Sequence, residues 1–248
     1  MCKANLVVYQ CKEGNLRDLP PDRSKSLRVR VTERLRRAIL DGEFPLGQPL
    51  SEDKLAKAFG VSRTPVRNAI TSLQLQGLIE VQPQRGSFVF LPSEEDIAKL
   101  CEFREMIEIR ALTLCYEERQ DATLAQMKRA NVDIELATEK NDRLAFTRAD
   151  GELHDVLFEN CQNKYLIDAY KLVSSQVAAL RGHSRVTDMR RAMNEHKAII
   201  EAMANDDLPR AQQVLSQHIL KMREVYALSV KSAISSGSGE EFIIPAVL

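Results

Sequence analysis

The chain contains four histidines, at positions 154, 183, 196 and 218, and three of them fall where their imidazoles can meet a carboxylate. Asp150 and His154 are four residues apart, so on a helix both side chains leave one face and aim at one point. His196 in RRAMNEHKAII and His218 in VLSQHILKM each sit among apolar residues on a separate helical pattern. Three helices of a bundle can therefore converge one carboxylate and three imidazoles in its interior. Oxygen and nitrogen donors without thiolate suit a divalent ion such as Zn, Ni, Mn or Co. The competing reading is of ordinary part-buried histidines bonded to backbone, and for any one of them alone that is the simpler account. Such a site with open coordination positions can also activate water for hydrolysis, or serve folding only. No general base or nucleophile is nominated beside it, and an enzyme is not expected. His183 stands outside the pattern.

A second group of chemically useful residues lies near the N-terminus. Arg63 and Arg67 are one helical turn apart, Thr64 sits between them, and Pro65 falls inside the first turn, where its missing N–H costs nothing. Val66, Ala69, Ile70 and Leu73 recur at helical spacing, which leaves Arg63, Arg67 and Thr71 together on a polar, basic outward face. A guanidinium there can fork onto guanine O6 and N7 or pair with phosphate. Thr64 and the first-turn N–H groups suit a phosphate. Arg85 and Gly86, in a turn between two short β-rich runs, offer a cation beside a residue small enough for close approach to DNA. The plainer alternative is a solvated helix face and a charged turn. Arg36 and Arg37 read as surface charges.

The elements that must position these residues can be read from periodicity and punctuation. A helix runs from Ser26 to Asp41-Gly42, and a short one follows Ser51, whose hydroxyl can cap it with Glu52 and Asp53 in the first turn. A third begins after Ser62, again a capping residue, and ends at Gly77; LIEVQ and SFVFL then form a hairpin around PQRG. Everything beyond Pro92 reads helical, with spans near 93–119, 121–140, 142–160, 163–182, 187–205 and 208–231. Short connections between them imply an antiparallel bundle. The expected fold is thus mainly α: residues 25–91 form a winged helix-turn-helix and 92–232 an all-helical domain. Residues 1–24 are read as an extension and the Gly/Ser-rich 233–248 as a flexible tail.

Composition narrows the class. Net charge is zero, yet residues 24–91 carry eleven basic against six acidic side chains, an excess of five that the remainder cancels. A basic half beside an acidic one is the electrostatic layout of a DNA-binding module joined to a partner domain. No apolar run is long enough for a membrane span, and the N-terminus lacks a secretory pattern, so the expected location is cytoplasmic. The five cysteines are scattered without a CxxC pair, which argues against a disulfide framework or zinc knuckle.

The stretch RLRRAILDGEFPLGQPLSEDKLAKAFGVSRTPVRNAITSLQLQGLIEVQPQRGSFV resembles the DNA-binding domain of the GntR family, most specifically in GVSRTPVR followed by GLIEV and RGS. The resemblance implies that Arg63, Thr64 and Arg67 meet an operator in double-stranded DNA, assisted by Arg85 and Gly86. The chain departs from that pattern at Asp53, where many relatives carry a DNA-contacting arginine, and at Asn68, where glutamate is usual. Residues 95 to 230 resemble the FCD-type effector domain of the FadR subfamily, in which Asp-x-x-x-His on one helix is followed by one histidine on each of two later helices. Asp150, His154, His196 and His218 match it residue for residue, which implies a bound divalent ion such as Zn, Ni or Mn. Four protein ligands on an octahedral ion leave two positions that a carboxylate can take, so the resemblance implies a small organic-acid effector. Arg104, in FREMIEIR, is similar to a pocket arginine of that family, and Arg181 is a second candidate. A homodimeric regulator whose effector alters the placement of two DNA readers is the function implied.

Overall fold

The computed structural model describes residues 26–184 and 188–235; the expected N-terminal extension, nearly all of the tail, and Cys2 and Cys11 lie outside them. Helix α1 (Leu27–Leu40) starts at Ser26, whose hydroxyl accepts from the Val29 N–H. It buries Val31, Leu35, Ala38 and Ile39 at helical spacing. Helix α2 (Glu52–Phe59) is capped by Ser51 and stopped by Gly60, which takes the left-handed conformation at φ 65° that turns the chain into the next helix. Helix α3 (Arg63–Leu75) buries Val66, Ala69, Ile70 and Leu73 against α1. Ser62 occupies its N-cap position but makes no side-chain cap bond, so the expected hydroxyl cap is corrected: the first-turn N–H groups of α3 keep their donor capacity.

Strand β1 (Pro49–Leu50), β2 (Ile79–Gln82) and β3 (Gly86–Val89) form an antiparallel sheet in the order β1-β3-β2, with Val81 opposite Ser87 and Pro49 opposite Phe88. The hairpin is the expected one. The third strand was not anticipated, because two residues are too few to display a period.

The helical region comprises α4 (Glu94–Glu139), α5 (Arg143–Asn160), α6 (Lys164–His183), α7 (Met189–Ala204) and α8 (Leu208–Ser235). Helix α4 opens on a full capping box between Ser93 and Asp96. Where the sequence predicts two helices there is one, kinked at Arg119 (φ −144°, ψ 30°). The kink is held from outside, because Gln120 Nε2 donates to the Met203 carbonyl (2.8 Å) and to Asp206 (2.9 Å) at the α7–α8 turn. Helix α4 packs along α5, α7 and α8, and a continuous apolar core runs from Val31 in α1 to Val230 in α8.

Helix α6 joins the two halves. Arg36 donates to Gln76 (3.2 Å) and to Ser175 of α6 (3.3 Å), so it is a half-buried tie and not the surface charge expected. Gln176 donates to the Gly77 carbonyl (3.2 Å), and His183 Nε2 meets the Phe44 carbonyl at 2.9 Å. Gly182 lies so close to the end of α1 that a Cβ there would overlap the Leu40 carbonyl oxygen. That approach requires glycine.

Candidate metal centre and DNA-reading face

Helix α5 carries Asp150 and His154, α7 carries His196 and α8 carries His218, and each helix turns these side chains into the bundle with its buried apolar residues. All four are buried, and one potential donor atom from each lies within 4.8 Å of every other. The ring centroids stand 4.6 to 5.6 Å apart. Three neighbouring side chains set the chemistry. His154 Nδ1 donates to Glu108 Oε2 at 2.6 Å, and His218 Nδ1 donates to Glu195 Oε2 at 2.8 Å. A carboxylate on Nδ1 fixes the tautomer that turns the Nε2 lone pair inward, and it raises the basicity of that nitrogen. Arg181 Nε holds Asp150 Oδ2 at 2.6 Å, leaving Oδ1 beside His196 Nε2 at 3.4 Å.

The residues fit a divalent ion by their own donor accounting. His154 Nε2 and both ring nitrogens of His196 are buried without a hydrogen-bond partner, a costly arrangement for polar atoms unless a ligand engages them. Burial pushes the His154 imidazole below its ordinary pKa, with the Glu108 carboxylate opposing it only in part. Burial and the neighbouring His218 hold His196 lower still. Both rings are therefore neutral near pH 7, the form that coordinates a cation. Burial is the largest influence on the Asp150 carboxyl and would raise it, but Arg181 and then the neighbouring histidines together outweigh burial and keep Asp150 ionised, well below the usual carboxylate range.

Arg104 is fully buried and bonded through Nε to Glu108 (2.7 Å), while its Nη1 and Nη2 have no partner. Arg181 Nη2 and the Tyr226 hydroxyl are likewise buried and unpartnered. These groups sense one another electrostatically, so two guanidinium ends and a phenol share the neighbourhood of the four-residue cluster. Burial lowers the Arg104 pKa in isolation, but Glu108 reverses the shift and the charge is retained. Both sequence candidates, Arg104 and Arg181, thus sit beside the cluster and are not surface residues. Glu108, Glu195 and Tyr226 were missed. Glu108 lies four residues after Arg104, the spacing of an ordinary exposed helix pair, and no sequence signal distinguishes the two cases.

On the other half, Arg63, Thr64 and Arg67 are exposed on the first turns of α3, and Arg85 and Gly86 are exposed at the β2–β3 turn. The Arg85 guanidinium lies 6.0 Å from the Phe88 ring centroid. Val66, Ala69, Ile70 and Leu73 are packed inward beneath α3, which leaves Arg63, Thr64 and Arg67 outward on its N-terminal half.

Residues 27–89 match the family model described as bacterial regulatory proteins, gntR family, and residues 99–221 match the FCD domain. The chain belongs to the GntR family and carries an FCD domain. Among its relatives, HTH-type transcriptional regulator LutR of Bacillus subtilis is 27% identical over 75% of this chain and 95% of its own length. The galactonate operon transcriptional repressor of Escherichia coli is 27% identical over 77% of this chain and 91% of its own. A solved GntR transcriptional regulator from Rhodococcus sp. RHA1 superposes with a TM-score of 0.70 at 25% identity, covering 82% of this chain and 98% of that one. The protein is accordingly a transcriptional regulator built from a winged helix-turn-helix and a helical domain. No helix among the described residues is long and apolar enough to cross a membrane.

Proposed function

We propose that this GntR regulator binds operator DNA through Arg63, Thr64 and Arg67 of α3 with the Arg85-Gly86 wing, and that a small organic acid held at a divalent ion in the FCD domain changes its operator affinity. The ion is held by Asp150, His154, His196 and His218, with Zn, Ni or Mn matching the donors. When bound, it supplies a Lewis-acidic centre on which a carboxylate can sit. The single observation that carries the reading is the set of buried, unpartnered donors from Arg104, Arg181 and Tyr226 beside the cluster.

Charge accounting favours an anionic effector. With the imidazoles neutral, Arg104 and Arg181 balance Glu108 and Asp150. A divalent ion then adds two positive charges to a buried site, and a carboxylate ligand offsets them while bonding the free guanidinium ends. A relative named for the galactonate operon fits a sugar acid as one such ligand. Hydrolysis has weaker support, since Glu108 and Glu195, the carboxylates beside the imidazoles, are both engaged as Nδ1 acceptors.

The link to DNA runs through α6. Arg181 bonds Asp150, and the next residue, Gly182, is seated on Leu40 of the DNA-reading half. Arg148, two residues before Asp150, pairs with Asp41 at 2.7 Å. A ligand that draws Arg181 away from Asp150 therefore acts one residue from the α1 contact, and in a homodimer this shifts the relative placement of two readers.

The test is a thermal-shift screen of sugar acids and small hydroxy acids on protein loaded with zinc, nickel or manganese. A hit that raises the melting temperature of the wild type but not of His196→Ala supports the site. An identical response in both sinks it, and metal-dependent melting with no acid response would leave a purely structural ion.

A further inference from the structure

Two carboxylates in the first turn of α2 grip the two arginines that α3 offers to DNA. Glu52 binds Arg67 side-on: Arg67 Nε lies 3.1 Å from both Glu52 oxygens, and Nη2 donates to Oε2 at 2.8 Å. Asp53 engages Arg63 at the same side of its guanidinium, through one contact from Nε to Oδ1. A guanidinium has five N–H donors in a planar fork. Taking the Nε side of that fork leaves the outer end, Nη1 and the second hydrogen of Nη2, as the free pair. That end has the geometry to fork onto guanine O6 and N7.

The carboxylates are set by the helix that carries them. Ser51 caps α2, Glu52 and Asp53 lie at its positive end, and Gly60 fixes the turn that brings α3 alongside. Both arginines and Asp53 are exposed and Glu52 is half-buried, so each pair adds little to stability. Their charge is equally informative, because two acids beside two DNA-facing cations cancel the local attraction to phosphate. An arginine free to swing bonds whichever phosphate it meets, whereas one held by its Nε side presents only a directional fork.

We propose that Glu52 and Asp53 are positioning residues for DNA selectivity, holding Arg67 and Arg63 end-on toward guanine and withholding them from phosphates. This rests on α3 being the DNA-reading helix, and the test separates the two claims. Duplexes are selected from a randomised pool with the full-length wild type, and the selected and a scrambled duplex are then titrated over a salt series. Glu52→Gln and Asp53→Asn are each expected to reduce the selected-to-scrambled affinity ratio about tenfold. The cause would be tighter binding to scrambled DNA, with the slope of log affinity against log salt steeper by about one for each freed arginine. Arg67→Lys, which keeps the charge and loses the fork, is expected to lower the ratio with no change in slope. An unchanged ratio and slope in both carboxylate variants overturns the proposal, as does equal weakening on both duplexes at unchanged slope. A wild type that selects no motif refutes the reading helix itself, and the grip with it.

Discussion

Replacing Glu108 by alanine tests the interior of the site most severely. Glu108 is completely buried and serves two partners, Arg104 Nε at 2.7 Å and His154 Nδ1 at 2.6 Å. Its removal strands a fully buried guanidinium whose other two nitrogens already have no partner. Breaking a buried ion pair from one side costs about 3–5 kcal/mol, which for a chain of this size lowers the melting temperature by about 6–20 °C. The same change frees the His154 ring and removes the acceptor that makes its Nε2 a better donor, so metal affinity is expected to fall about 10- to 100-fold. Glu108→Gln separates the two effects, because the amide retains a hydrogen bond to Arg104 while losing the charge. Its melting loss should be smaller than that of the alanine variant, but its metal affinity still reduced. Thermal melting of metal-free protein and titration with zinc under a competing chelator read the two quantities. A Glu108→Ala protein that melts within a degree of wild type and binds zinc equally well would refute the reasoning.

Acid should loosen the metal-free protein. Burial depresses the folded-state pKa of His154 and His196, while an unfolded imidazole takes its proton at about pH 6.5. The unfolded chain thus binds more protons just below that pH, and stability falls as pH drops through about 6.5; equal melting temperatures at about pH 8 and pH 5.5 would contradict this. Gly182→Ala forces a methyl group onto the Leu40 carbonyl at a cost of about 1–3 kcal/mol. Faster hydrogen exchange is expected in residues 36–46, with the α2–α3 core unchanged, and exchange identical to wild type would exclude α6 as the link. Arg181→Gln removes the strongest of the neighbouring charges that keep Asp150 ionised. It is expected to weaken metal binding and abolish the effect of any organic acid on melting, and an intact acid response would remove Arg181 from the site.

The four residues of the cluster were legible because their signal is local or periodic. Asp150 and His154 are one helical turn apart, and His196 and His218 each lie on the apolar stripe that a bundle must bury. Their partners were not, since Arg104 with Glu108 and Arg191 with Glu195 are i,i+4 pairs that look like solvated helix charges until the third dimension is known. Only burial tells them apart: the first pair is sealed in the core, while the second is partly exposed. The same limit explains Arg36 and His183, whose partners Ser175 and Phe44 lie 139 residues away in sequence. Arg119-Gln120 did break the helical pattern as expected, but tertiary bonds to the α7–α8 turn carry the helix through it as a kink. Punctuation in a sequence marks where a helix is weak; packing decides whether it ends.

The central claim is that an acid bound among Asp150, His154, His196 and His218 is felt at Arg63 and Arg67. The most direct measurement is the affinity of metal-loaded, full-length protein for its selected duplex, with and without the acid found by thermal shift, in wild type and in His196→Ala. The expected result is an acid-dependent change in affinity in the wild type that disappears in the variant while DNA binding itself persists. An acid response of equal size in His196→Ala, or none in the metal-loaded wild type, would contradict it.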